Sequence, residues 1–122
     1  MIRSTRGFIF GGFADKPWTS SGGVYFESDK AFLFSLNSSS SEVGLTKIGK
    51  KQNMFSNAMV HNSSYGPTFG YVDFQIASDA NNNRKPHSYL GDIYELPPGQ
   101  TDTFLVGSKH FKLLEIELFQ VI

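Results

Sequence analysis

Gly7-Phe8-Ile9-Phe10-Gly11-Gly12-Phe13 is the stretch of this 122-residue chain whose reading decides the fold class. Aromatic and β-branched side chains fit a pleated, half-buried surface, so the run reads as a strand. The glycine pair inside it marks a bulge, or a place where another part of the protein approaches the backbone closely. Downstream, Ala31-Phe32-Leu33-Phe34-Ser35-Leu36 is nearly continuous in apolar residues, as in a strand covered on both faces. Residues 69–77 alternate, with Tyr71, Asp73 and Gln75 on one face and Val72, Phe74 and Ile76 on the other. Val24-Tyr25-Phe26 and Phe104-Leu105-Val106 add shorter strands, and residues 45–48 an edge strand guarded by Lys47, Lys50 and Lys51. Residues 53–62 fit either a short helix or an irregular strand. In residues 113–122, Leu114, Ile116 and Leu118 alternate with Glu115, Glu117 and Phe119, which predicts a long central strand covered on both sides.

Seven or eight such strands, with no sustained helical period, predict a mainly β protein: a two-sheet antiparallel β-sandwich with at most one or two short helices. Residues 1–122 are the size of one domain. Composition agrees, with 12 Phe against 9 Leu and 5 Ala. Eleven basic and eleven acidic residues give no net charge, so the basic excess expected of a nucleic-acid binder is missing. A chain without net charge also lacks the self-repulsion that keeps copies apart, which leaves self-association open. With no Cys, disulfides, thiolate zinc sites and Cys nucleophiles are excluded. No apolar run reaches the ~18 residues of a membrane span, and the expected location is cytoplasmic.

Candidate chemistry is sparse. Asp79-Ala80-Asn81-Asn82-Asn83 has the D-x-N-x-N opening of calcium loops, but Arg84 and Leu90 stand where an EF-hand needs Gly and Glu, so an Asx-rich surface turn is the expectation. His61, His87 and His110 are widely spaced, and nothing in that spacing requires a shared zinc ion. Glu115 and Glu117 share one face of their strand; with His110 they could do acid/base work. Buried in a central strand, they would instead need a cation such as Arg3, Arg6 or Lys47, and a structural role for Glu117 is favoured. No phosphate-binding glycine motif and no G-x-S-x-G elbow occurs. The sequence therefore predicts no catalytic residue, no cofactor and no metal site.

The glycine-broken strand, Trp18, Ala31-Phe32-Leu33-Phe34-Ser35-Leu36, Gly66-Pro67-Thr68-Phe69-Gly70, Tyr89-Leu90-Gly91 and residues 111–119 follow one another in the order found in the TLDc domain family, which the chain resembles over nearly its whole length. Its Asn-rich loop and Gly segment look most like the variants of protists and simple animals. The resemblance implies a sandwich of two antiparallel sheets, no established catalytic mechanism, and Gly11, Gly12, Trp18 and Glu117 as motif residues of structural or functional weight. It also implies a link to protection against oxidative stress and to binding the vacuolar proton-pumping ATPase. Only six residues precede Gly7, fewer than the family's helical N-terminal part, so the chain reads as a short natural form or a fragment.

The leading expectation is a non-catalytic protein-interaction domain with a protein partner, a proton-pump subunit or a larger assembly. The alternative is a sandwich binding calcium, carbohydrate or another small ligand through Trp18, Tyr25, Tyr65 and the loop at Asp79 to Asn83. A third reading, a hydrolase using Glu115, Glu117 and His110, requires a pocket opening between those groups.

Overall fold

A computed structural model describes residues 1–15, 22–26, 30–37, 45–52, 59–62, 65–70, 73–77 and 86–117; for residues 22–26, 60–62, 65–67 and 77 it describes the backbone. The described strands are β1 (Ile2–Ser4), β2 (Ile9–Phe13), β3 (Gly22–Phe26), β4 (Phe32–Asn37), β5 (Thr46–Ile48), β6 (Met59–Asn62), β7 (Tyr65–Phe69), β8 (Phe74–Ala77) and β9 (Leu113–Ile116). They form a five-stranded sheet in the order β5-β4-β2-β1-β9 and a four-stranded sheet in the order β3-β6-β7-β8. Every pairing is antiparallel. The expected mainly β, two-sheet architecture is what the chain adopts, and no α-helix occurs among the described residues.

The glycine pair explains how the sheets come together. Phe10 is fully buried, and its ring meets Phe74 of the opposite sheet edge-on at 5.4 Å and Phe111 at 5.4 Å. Successive residues of a strand face opposite sides, so Gly12 shares the inner face of Phe10 while Gly11 and Phe13 face outward. A Cβ at Gly12 would lie 2.5 Å from the Phe69 ring of the other sheet, and one at Gly11 would lie 2.7 Å from the ring of its cross-strand partner Phe34. Each glycine therefore leaves room for one aromatic ring, the first outside the sandwich and the second inside it. A bulge is present too, one step earlier, between Ile9 and Phe10. On the outer face, Phe13 and Phe32 stack at 5.3 Å with Lys47 over the Phe32 ring.

Three expectations are corrected. Residues 69–77 are not one strand: β7 stops at Phe69 and β8 starts at Phe74, and Asp73, expected on a polar face, is fully buried in the turn. Phe104-Leu105-Val106 forms a turn, with Thr103 carbonyl oxygen accepting from the N–H groups of Val106 and Gly107. All three side chains are nevertheless completely buried. Their hydrophobicity marked core rather than strand, because a short apolar run looks alike in either.

The third correction concerns β9. Among the described residues it lies at the end of its sheet, not at the centre, and pairs with β1 alone. A register shift between Arg3 and Ser4 breaks the alternation. Leu113 consequently faces the core, while Leu114, Glu115, Ile116 and Glu117 are all exposed. Residues 118–122 lie outside the described residues.

Residues 86–117 close one side of the sandwich. His87 exchanges both backbone hydrogen bonds with Gln75 of β8, extending the four-stranded sheet, and His110 pairs with His87 in turn. Three residues later the same chain enters β9 of the five-stranded sheet. A strand that changes sheets at a corner in this way joins the two layers. Phe111 sits at the crossing, against Phe10 of one sheet and Phe74 of the other.

Candidate functional site

Titratable chemistry inside the molecule centres on Asp73. Its Oδ2 accepts from the N–H groups of Gly91 (3.1 Å), Asp92 (3.0 Å) and Tyr94 (3.1 Å), and its Oδ1 from that of Ile93 (2.8 Å). The hydroxyl of Ser88 donates to the Asp73 carbonyl at 2.8 Å. Gly70, at φ +63°, lets the chain turn beneath the carboxylate, where a Cβ would stand 2.2 Å from Oδ1. Burial pushes the Asp73 carboxyl above its ordinary value; the backbone donors at Ile93, Tyr94 and Gly91 oppose that shift, and the nearby Asp92 adds to it. Burial, aided by the Asp73 charge, also raises the Tyr94 hydroxyl.

On the far side of this loop, the Lys51 ammonium donates to the Gly91 carbonyl and the Lys50 ammonium to the Ala31 carbonyl at 2.6 Å. A fully enclosed carboxylate with its acceptor sites committed to backbone amides holds a loop in shape and cannot reach a substrate. Asp73 is a structural anchor.

The sequence-derived candidates are scattered. Gly11 and Gly12 serve packing, as described above. Glu115 is on the surface, 3.4 Å from Arg3, so one of the cations expected to pair with this carboxylate pair does so, but in solvent rather than in the core. Glu117 is exposed, and its N–H donates to the Met1 carbonyl at 2.8 Å. Both glutamates line a cleft of about 70 Å³ with Met1, Ile2, Arg3 and Ile9. Small-molecule sites run to ~300–1,000 Å³. Among the described residues, the cleft at Glu115 and Glu117 does not take in His110. The neighbours of His110 are Tyr89, whose hydroxyl lies 3.4 Å from Nε2, and His87. Trp18 and the loop at Asp79 to Asn83 lie outside the described residues, as do the side chains of Tyr25, Tyr65 and His61.

The surface carries a different feature. Leu36, Leu45, Leu114 and Ile116 are large apolar side chains left exposed. Strand order places them as two pairs at opposite edges of the five-stranded sheet, Leu36 and Leu45 at the β4–β5 edge and Leu114 and Ile116 on β9, with β2 and β1 between. Ser35 pairs with Thr46, which brings Leu36 and Leu45 together; Ile9 pairs with Asn37 and with Arg3, and Arg3 with Glu115 beside Leu114 and Ile116.

This architecture, with rings seated on a glycine pair and a terminal strand bearing glutamate, accords with a comparison against known families, in which the TLDc domain matches residues 1–122. The chain belongs to the TLDc family. No curated protein and no solved structure matches it. Two of the sequence motifs of this TLDc chain lie around Asp73. The Gly segment turns beneath Asp73, and Tyr89-Leu90-Gly91 leads into the amides that bind it. Sequence reasoning missed Asp73 itself. The signal available was Gly70, since a glycine inside an alternating run marks a turn, and turn Asp side chains commonly bond to backbone.

Proposed function

We propose that this TLDc chain is a non-catalytic protein-interaction domain of the oxidation-resistance type, acting in the cytoplasm, with a subunit of the vacuolar proton-pumping ATPase or a larger assembly as partner. Family membership supports the type of domain. The observation that carries the interaction is the exposed apolar side chains at the two edges of the five-stranded sheet: Leu114 and Ile116 on β9, flanking the Arg3–Glu115 ion pair, and Leu36 and Leu45 at the β4–β5 edge. Adjacent large apolar groups on a surface, such as each of these pairs, mark interaction sites, whereas singly scattered ones need no explanation. Charges beside them would set orientation and the rate of encounter more than affinity.

The test is binding of the purified 122-residue chain to the purified soluble sector of the proton pump, measured by calorimetry, with Leu114→Glu and Leu45→Glu as variants. The proposal expects binding that either variant weakens at least about tenfold, since a charge placed in a desolvated contact is costly. Binding that both variants leave unchanged overturns the assigned surface, and no binding at all overturns the assigned partner.

A further inference from the structure

Among the described side chains, the fold brings His87 and His110 together, with a geometry that the interaction surface does not use. Around the His87–His110 bridge, the Ser88 N–H donates to the Lys109 carbonyl at 2.8 Å and the Phe111 N–H to the Pro86 carbonyl at 3.1 Å. Because the flanking residues make the hydrogen bonds, His87 and His110 are a non-hydrogen-bonded antiparallel pair. This is the closer of the two pair types, with Cα atoms ~4.5 Å apart and side chains on the same face. Burial confirms which face that is: Pro86, Ser88 and Leu90 point inward, and His87 and Tyr89 outward between them.

The two imidazole rings lie 6.0 Å apart, inclined at 65°, and are thus not stacked. Tyr89 stands against both, 5.6 Å from His87 and 6.1 Å from His110, with its hydroxyl at His110 Nε2. His110 is exposed and His87 half-buried, so the group opens to solvent.

We propose that His87 and His110 together bind a divalent transition-metal ion of the zinc type, with the Tyr89 hydroxyl beside the ligands and water completing the coordination. An imidazole nitrogen ligates Zn²⁺ at ~2.0–2.1 Å, which puts each ring centre about 3 Å from the ion. Two rings sharing one ion at a tetrahedral angle then sit about 5 Å apart, so the observed 6.0 Å must close by about 1 Å. On binding, side-chain rotation would draw the two rings together about the ion, with His110 Nε2 leaving its contact with the Tyr89 hydroxyl. Backbone pairing has already fixed both ligands on one face, so little ordering remains to oppose binding. A neighbouring cation, Lys109, lies over the Tyr89 ring at 5.1 Å and is paired with Asp102 at 3.8 Å, which offsets its repulsion of an incoming ion.

The test is titration of the 122-residue chain with ZnCl₂, read by calorimetry and by the shifts of histidine ring signals in NMR. The proposal expects one equivalent of Zn²⁺ to shift two histidines, and His87→Gln or His110→Gln each to weaken affinity at least about tenfold while circular dichroism stays unchanged. Tyr89→Phe, which removes only the hydroxyl, is expected to cost less than either. Absence of binding overturns the proposal, as does binding that survives both histidine replacements or is abolished by His61→Ala instead. A response to inorganic phosphate without one to zinc also overturns it, by showing that the pair is an anion site.

Discussion

Two regions of this molecule both supply its core and are held together by different means. The paired strands around β2 follow their hydrophobic pattern. Backbone ladders satisfy their polar groups, and aromatic rings from both sides settle on Gly11 and Gly12. Residues 86–112 contribute as deeply to the core, through Leu90, Ile93, Tyr94, Phe104, Leu105, Val106 and Phe111, yet contain no named strand. Backbone polar groups there cannot rely on a ladder and must find other partners, because leaving them unpaired in the interior is costly. One side chain, Asp73, takes four of these amides. Regular structure spreads its stability over many equivalent bonds, whereas an irregular core segment concentrates it on a few residues. Substitutions should therefore act unequally in the two regions.

The largest effect is expected at that anchor. Asp73→Ala leaves four buried or half-buried amides without an acceptor, and is expected to destabilise by about 3–5 kcal/mol in urea unfolding. Asp73→Asn should cost less, because its amide oxygen can face the three donors now on Oδ2 and leave only the Ile93 N–H unsatisfied.

In the sandwich, Gly12→Ala drives a Cβ into the Phe69 ring and is expected to cost about 1–3 kcal/mol, as overpacking does. Gly49→Ala, with open space around it, is the control, and should be neutral or stabilising by up to about 1 kcal/mol. If Gly12→Ala is as harmless as Gly49→Ala, the ring-on-glycine account of the sandwich fails.

A smaller effect should appear on changing pH. The Asp73 carboxyl is raised by burial, so the folded chain holds this proton more tightly than the unfolded one. Its contribution is fully present below the unfolded carboxylate value of about 4 and declines as pH rises through the raised folded value. The stability margin of the wild-type chain over Asp73→Asn should thus narrow as pH rises, measured by parallel unfolding curves. A margin that widens would mean that the four donors outweigh burial. Smallest of all is Arg3→Ala, expected to cost about 0–1 kcal/mol and less in high salt, because the Arg3–Glu115 pair is half-exposed.

How much of this was legible in the sequence follows the same division. Residues 7–13 and 31–36 announced strands and a close approach at the glycines, because a strand's local pattern reflects the faces it must cover. Ordered motifs spread over nearly the whole chain were enough to indicate the family. Residues 69–77 misled because alternation continues across the turn, and only Gly70, needed at φ +63°, marks the break. Residues 104–106 misled because a buried turn and a buried strand share the same hydrophobicity. The His87–His110 pair was invisible for another reason. It depends on register between segments more than twenty residues apart, and nothing in the local sequence encodes that register.

The most direct test of the account is amide hydrogen exchange at Gly91, Asp92, Ile93 and Tyr94, compared with the amides of β2 and β4, in the wild-type chain and in Asp73→Asn. The account predicts wild-type protection at the four amides comparable with that of the sheet, and a selective loss of it in the variant while β2 and β4 remain protected. Unprotected amides in the wild-type chain, or protection unchanged by the substitution, would contradict the claim that one buried carboxylate holds the irregular region of this TLDc domain.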